Sequence, residues 1–326
     1  MQKQIDKKSR YPHLLIRSKN ELAKHISDAK FSKNDALDLI NRVLKDYDHY
    51  WRESSESEPE KGKYVRDAKG TPLGLLLNKI DKKVLARHDS SLPNFIFGGL
   101  RGLNHIKAGK HLLGGRRKRV LLAMDIHRFF EHISAQRVND LFRYKCGCSE
   151  EGAKLLTRLC CVPAGPKGSK SSDMILSRGF ATSPRLAVWC NLDTFIKLDY
   201  AVKKKFKDHD PRLAIYVDDI GITASRVTKE DMYKFADQVE EILNADSNQP
   251  LPVNTTKTKV MSHEEGLVHL GLRLFRNKLS IDGKSLAKRN RLREKIREKM
   301  PKEQKKSLRK IYRSLTAYKQ RVENVK

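Results

Sequence analysis

A chain of 326 residues with 68 Lys and Arg against 39 Asp and Glu has a net charge of +29. That excess is larger than solubility requires and predicts a polyanionic partner. No apolar run has the length of a membrane-spanning helix, and Met1-Gln2-Lys3-Gln4-Ile5 lacks the apolar stretch of a signal peptide, so a cytoplasmic protein with no membrane partner is expected.

In chain order, residues 1–60 read as helical. Ser18 and Glu21 have capping-box spacing, and Leu22 and Ile26 share a face. Ser32 leads a second helix through Ala36, Leu37, Ile40, Val43 and Leu44, and residues 54–60 are a polar loop. Residues 61–66 predict a short basic strand, which serves either as a phosphate grip or as a solvated face; 67–72 turn the chain, 73–85 form a helix and 93–99 a loop. Arg116-Arg117-Lys118-Arg119 precedes the apolar strand Val120–Ile126, which contains Asp125, and a helix starts near Ser134. Residues 150–161 predict a helix and 162–172 a mobile loop. The five cysteines are an odd number, and Cys146-Gly147-Cys148 and Cys160-Cys161 match no common zinc spacing. Reduced thiols are expected, with Cys160 or Cys161 packed in a helix. Pro184, with Ser183 as cap, opens a helix running through Leu198.

Leu213–Val217 and Ile220–Thr223 read as a hairpin with Asp218 and Asp219 at its tip. Adjacent carboxylates repel unless a cation neutralises them, and hard oxygen ligands on a turn suit Mg²⁺; a plain surface turn is the alternative. The acid-bearing strand at Asp125 favours the metal, because a lone buried carboxylate is costly. An amphipathic helix follows Thr228, then a hydroxyl- and lysine-rich strand–turn over 251–260 and a hairpin from Leu267–Phe275 and Leu279–Ile281. From Lys284 onward there are 17 Lys/Arg and 4 Glu, with apolar positions at helical spacing, as in a small basic helical domain. Arg289, Arg293 and Arg297 are expected to share one phosphate-facing side of a helix.

Over roughly residues 61 to 320 the sequence resembles the reverse transcriptases, within them the bacterial retron and defence-associated groups. Tyr216-Val217-Asp218-Asp219 looks like their Tyr-x-Asp-Asp motif, and Asp125-Ile126-His127-Arg128-Phe129-Phe130-Glu131-His132-Ile133 their first acidic motif. Arg178-Gly179-Phe180-Ala181-Thr182-Ser183-Pro184 is similar to Gln-Gly-x-x-Thr-Ser-Pro, Asn254–Thr258 to Asn-x-x-Lys-Thr, and His269-Leu270-Gly271-Leu272 to the primer-gripping strand. Arg178 replaces the usual glutamine, the Val-Thr-Gly signature of retrons is absent, and the stretch from Asn104 to Arg119 is altered. These departures favour a defence-associated relative over a true retron enzyme.

The resemblance implies an α+β right-hand polymerase, with fingers and an antiparallel palm sheet over 1–275 and a short basic helical thumb over 276–326. It implies RNA-templated DNA synthesis from dNTPs with two Mg²⁺ ions, on a dedicated noncoding RNA, in antiphage defence. An RNA/DNA hybrid, a protein partner and a homo-oligomer are the partners it suggests. Asp125, Asp218 and Asp219 would hold the metal, and Lys257 would protonate the leaving pyrophosphate. Lys63 and Arg66 would hold the triphosphate, Phe130 would exclude a 2′-hydroxyl, and Arg178, Gly179 and Tyr216 would line the substrate site. A non-catalytic or template-independent RNA-binding scaffold of a defence complex, or an RNA-dependent RNA polymerase, is the alternative.

Overall fold

The apolar run before Asp125 forms an inner strand of a four-stranded antiparallel sheet. The computed structural model describes residues 11–115, 118–275 and 278–324; Met1–Ile5 and Arg116-Arg117 lie outside them.

The fold is α+β. Helix α1 (Lys19–Ile26) starts at Ser18, whose hydroxyl accepts the Glu21 N–H. The Glu21 carboxylate takes the Arg17 N–H, so only half of the expected capping box forms. Ser32 and Asp35 make a complete box on α2 (Lys33–Lys45). Helix does not continue to residue 60: β1 (Arg52–Glu53) pairs with β2 (Arg66–Asp67), and the strand expected over 61–66 is confined to that pair. Thr71 and Pro72 start α3 (Pro72–Ile80), which a π-helical turn extends to Leu85. Then come α4 (His105–Leu113), β3 (Arg119–Asp125), α5 (Ala135–Asp140) and α6 (Glu150–Cys160).

Residues 162–172 are better anchored than expected. They join β4 (Cys161–Pro163) to its antiparallel partner β5 (Met174–Leu176). Lys167 is tied down at both ends, its N–H donating to the Glu53 carboxylate and its ammonium to the Trp51 carbonyl. The cysteines are free thiols; Cys160 closes α6 and Cys161 opens β4. The helix expected through Leu198 is two, α7 (Ser183–Cys190) and α8 (Leu192–Lys205). The break is at buried Asn191, whose amide donates to Ala187 O and accepts from Arg137.

The remaining elements are β6 (Arg212–Tyr216), β7 (Asp219–Ser225), α9 (Lys229–Leu243), β8 (Lys259–Ser262), β9 (Leu267–His269), β10 (Leu272–Phe275), β11 (Lys278–Ile281), α10 (Gly283–Lys295) and α11 (Lys302–Glu323). The main sheet has the order β6-β7-β3-β8. Its side chains alternate between two cores, as period-two strands require. Val120, Leu122, Leu213, Ile215, Ile220 and Ile222 enter the larger core with the helices. Leu121, Ala123 and Ala214 enter a smaller one with Ile106 and Leu112 of α4, the β9–β11 sheet and Val322 of α11.

In place of the expected terminal hairpin there is a three-stranded sheet, β11-β10-β9. The boundary drawn at 276 falls inside its β10–β11 hairpin, and the basic helices begin at Gly283. Among the described residues no helix is long and apolar enough to cross a membrane.

Candidate active site

Strand β6 ends at Tyr216 and β7 begins at Asp219, leaving Val217 and Asp218 as the turn. Val217 has φ +62°, an uncommon and strained conformation for a β-branched residue. Its backbone is held from behind by Gly98, where a Cβ would lie 2.3 Å from Val217 N. The same segment hydrogen-bonds along the outer edge of β6: Phe97 N–H donates to Ile215 O and Ile215 N–H to Phe95 O, both at 2.8 Å.

Asp125 lies directly opposite Asp219 in the β3–β7 register, so the two side chains share the sheet face that carries the smaller core. Ile126 N–H donates to Asp218 O at 2.9 Å, docking the turn on the end of β3. Asn254 N–H donates to Asp125 O at 2.8 Å, which brings the Asn254–Thr258 turn alongside. From that turn the Lys257 ammonium donates to both Asp125 oxygens, at 3.0 and 3.1 Å.

Burial, with the Asp125 charge beside it, raises the Asp218 carboxyl above its ordinary range. Burial and the charges of Asp218 and Asp125 push Asp219 up to about 7, with Lys257 pulling the other way. Crowded, desolvated carboxylates are what a divalent cation relieves, so the donor set fits Mg²⁺ in its chemistry. Among the described residues no three His, Cys, Asp or Glu side chains converge as a ready-made cage, and Asp125 faces the Lys257 ammonium.

Phe130 is buried, with Phe129 edge-on at 5.9 Å between centroids. The Arg178 guanidinium lies 4.8 Å from the Phe130 ring centroid. Its Nε and Nη2 donate to Oε1 and Oε2 of Glu131 at 3.1 and 2.9 Å. Burial pushes Glu131 up, but the hydrogen bonds and charge of Arg178 outweigh it and leave the carboxyl below its usual value. Gly179 has φ +102°, and a Cβ there would lie 2.3 Å from Arg66 O. Tyr216 meets the His105 ring edge-on at 6.2 Å, and His105 Nε2 lies 2.9 Å from the Tyr318 hydroxyl of α11.

Arg66 corrects the expectation placed on it. Its side chain is buried, with Nη1 donating to Tyr64 O and Nη2 to the carbonyls of Pro163 and Gly165. The guanidinium stacks on Tyr64 and Trp51 and is spent on the β4–β5 loop, not presented to a triphosphate. Lys63 is half-exposed, 3.8 Å from Glu58. Sequence alone assigned no role to Glu131, Gly98 or His105. Glu131 is visible inside the first acidic motif, but its partner is 47 residues away.

No family model matches the chain, and no curated protein matches it. Among solved structures it is similar to an apo telomerase from Candida tropicalis, truncated from its C-terminal domain, with a TM-score of 0.40 and 14% identity. The alignment covers 64% of this chain, which spans 44% of that one.

Proposed function

We propose that the protein is an RNA-directed DNA polymerase, a reverse transcriptase of the bacterial defence-associated kind, copying a dedicated noncoding RNA with dNTPs and Mg²⁺. The observation that carries this is the placement of Asp125 opposite Asp219, with Asp218 on the turn between β6 and β7. Asp125, Asp218 and Asp219 would hold the ions. When bound, such ions supply an activated primer hydroxyl and neutralise the triphosphate and the leaving pyrophosphate.

The chain's own residues do the rest. Main-chain hydrogen bonds from Ile126 and Asn254 fix the carboxylate-bearing segments to one another. Lys257 holds a proton beside Asp125, within reach of a leaving group formed there. Phe130 presents a rigid ring to the sugar of the incoming nucleotide and excludes a 2′-hydroxyl.

The test is to purify the protein, sequence the nucleic acid bound to it, and supply each nucleotide separately on an RNA template. Wild-type protein should extend with dNTPs. Asp218→Ala should abolish extension, a loss of several kcal/mol of transition-state stabilisation, and keep the fold. Near-normal extension by folded Asp218→Ala sinks the proposal. The ammonium seated on Asp125 favours a second reading, a scaffold that binds RNA without turnover. Tight RNA binding with no incorporation by wild-type protein selects it, and a preference for ribonucleotides selects an RNA polymerase.

A further inference from the structure

We propose that Arg178 and Glu131 form a specificity device of the nucleotide pocket, in which the Arg178 guanidinium, clamped by Glu131, sets the Phe130 ring against the incoming sugar. The inference rests on the polymerase proposal and assigns Glu131 as a positioning residue.

Arg178 is fixed at three points. Its carbonyl accepts the Arg66 N–H at 2.7 Å, which pins its backbone to β2. The next residue, Gly179, has a backbone conformation open mainly to glycine and no room for a Cβ against Arg66 O, so the approach is as close as two chains allow. The side chain then makes a two-point fork with the Glu131 carboxylate, the geometry that orients a guanidinium plane most sharply. From that position it faces the Phe130 ring. Phe129 packs edge-on beside Phe130. The ring is thus held by an immobilised cation and by the core.

A plain ion pair is a poor account of this arrangement. The two side chains are 16% and 11% exposed, and at such depth an ion pair adds little stability because desolvation cancels the attraction. What it supplies is geometry. The Glu131 carboxylate also occupies two of the guanidinium's donors and neutralises it, so Arg178 acts on the pocket through shape more than as a phosphate grip. Lysine at 178 would keep the charge and lose the planar fork.

The experiment measures ribonucleotide against deoxynucleotide incorporation on one RNA template with Mg²⁺. Arg178→Gln should raise the ribonucleotide-to-deoxynucleotide ratio on the order of tenfold, within the range one repositioned pocket group supplies. Arg178→Gln leaves Glu131 buried and unpaired, so Arg178→Gln/Glu131→Gln is made alongside to remove that charge and should show the same loss of discrimination. Arg178→Lys should fall between it and wild type. Phe130→Ala should lose discrimination outright, and adding Arg178→Gln to it should change nothing further. Merely structural damage would not produce that non-additivity. Wild-type discrimination by the folded double variant overturns the proposal, as does an additive effect in the Phe130→Ala background. Wild-type protein that discriminates while these variants are unchanged overturns this proposal alone. Wild-type protein that incorporates nothing overturns the polymerase reading and this one with it.

Discussion

Asp219 sits at the start of β7 with Asp125 opposite it and Asp218 next to it in the chain. Its carboxyl is pushed up to about 7 by burial and by the neighbouring charges of Asp218 and Asp125, above the ~3.9 of an unfolded aspartate. A carboxyl raised by folding contributes stability that is complete below the unfolded value and lost as pH rises through the folded one. In a chelator, the Asp219 contribution should therefore be lost between about pH 4 and pH 7, by about 1.4 kcal/mol for each pH unit separating the two values, while buried His269, held down to about 4, adds stability as pH rises over the same window. Mg²⁺ should add stability at pH 8 and do little at pH 5, and metal-free Asp219→Asn should gain stability relative to wild type as pH rises. Thermal melts of wild type and Asp219→Asn at the two pH values, with chelator and with Mg²⁺, check this; a metal-free variant that gains nothing on wild type from pH 5 to pH 8 would contradict it. Asp125, Asp218 and Asp219 could be placed together because apolar strands flank them. Arg66 could not be told from a phosphate ligand, since Tyr64 and Trp51 must fold over it and the carbonyls it serves lie about a hundred residues on.

Elements with strong local signals were legible. The β3 strand has six apolar or arginine side chains turned inward before Asp125, and Ser32, Ser134, Ser149 and Thr228 cap helices through side-chain oxygens. Elements made by distant partners were not. β1 and β2 have two residues each and exist only as a pair, and the α7–α8 break depends on Arg137 reaching Asn191. Among the basic helices, the expected trio does not share a face. Arg289 turns toward α11, donating to Tyr312 Oη and Thr316 Oγ1, and Arg297 lies beyond the end of α10. Lys284, Lys288, Arg291 and Lys295 instead line one groove with Ala287 and Leu292. If that groove follows a nucleic-acid backbone, neutralising these four should reduce the salt slope of RNA or hybrid binding by roughly 0.7–0.9 for each phosphate no longer neutralised. Arg289→Ala should leave the slope in place and lower thermal stability. Binding measured between low and moderate salt distinguishes the two, and an unchanged slope in the four-site variant would put the groove outside the interface. At the Asp218–Asp219 hairpin, Gly98→Ala should cost about 1–3 kcal/mol in urea unfolding, because the new methyl meets Val217 backbone. A neutral result there would mean the segment is not tightly seated.

At the scale of the whole molecule, the +29 charge rests on a frame built from sequence-distant parts. The main sheet buries both faces, and each core gathers residues from both ends of the chain: Ile16 and Leu22 with Val260 in one, Phe97 and Ile106 with Val322 in the other. A fragment ending at residue 211 lacks β6 and β7, so Leu121 and Leu122 of β3 have no neighbouring strand and Phe95–Gly98 has no edge to join. It should bind a hydrophobic dye and unfold without a cooperative transition; a sharp melt would show that the N-terminal part stands alone. The strap along β6 also sets a clock. In the cell, Phe95–Phe97 leaves the ribosome about 120 residues before the strand it pairs with, an interval on the order of ten seconds at ordinary synthesis rates. For most of that time β3 is out with neither of its neighbouring strands beside it, a natural client for a chaperone. Yield from a fast expression system should then depend on how quickly the last third of the chain follows the first two.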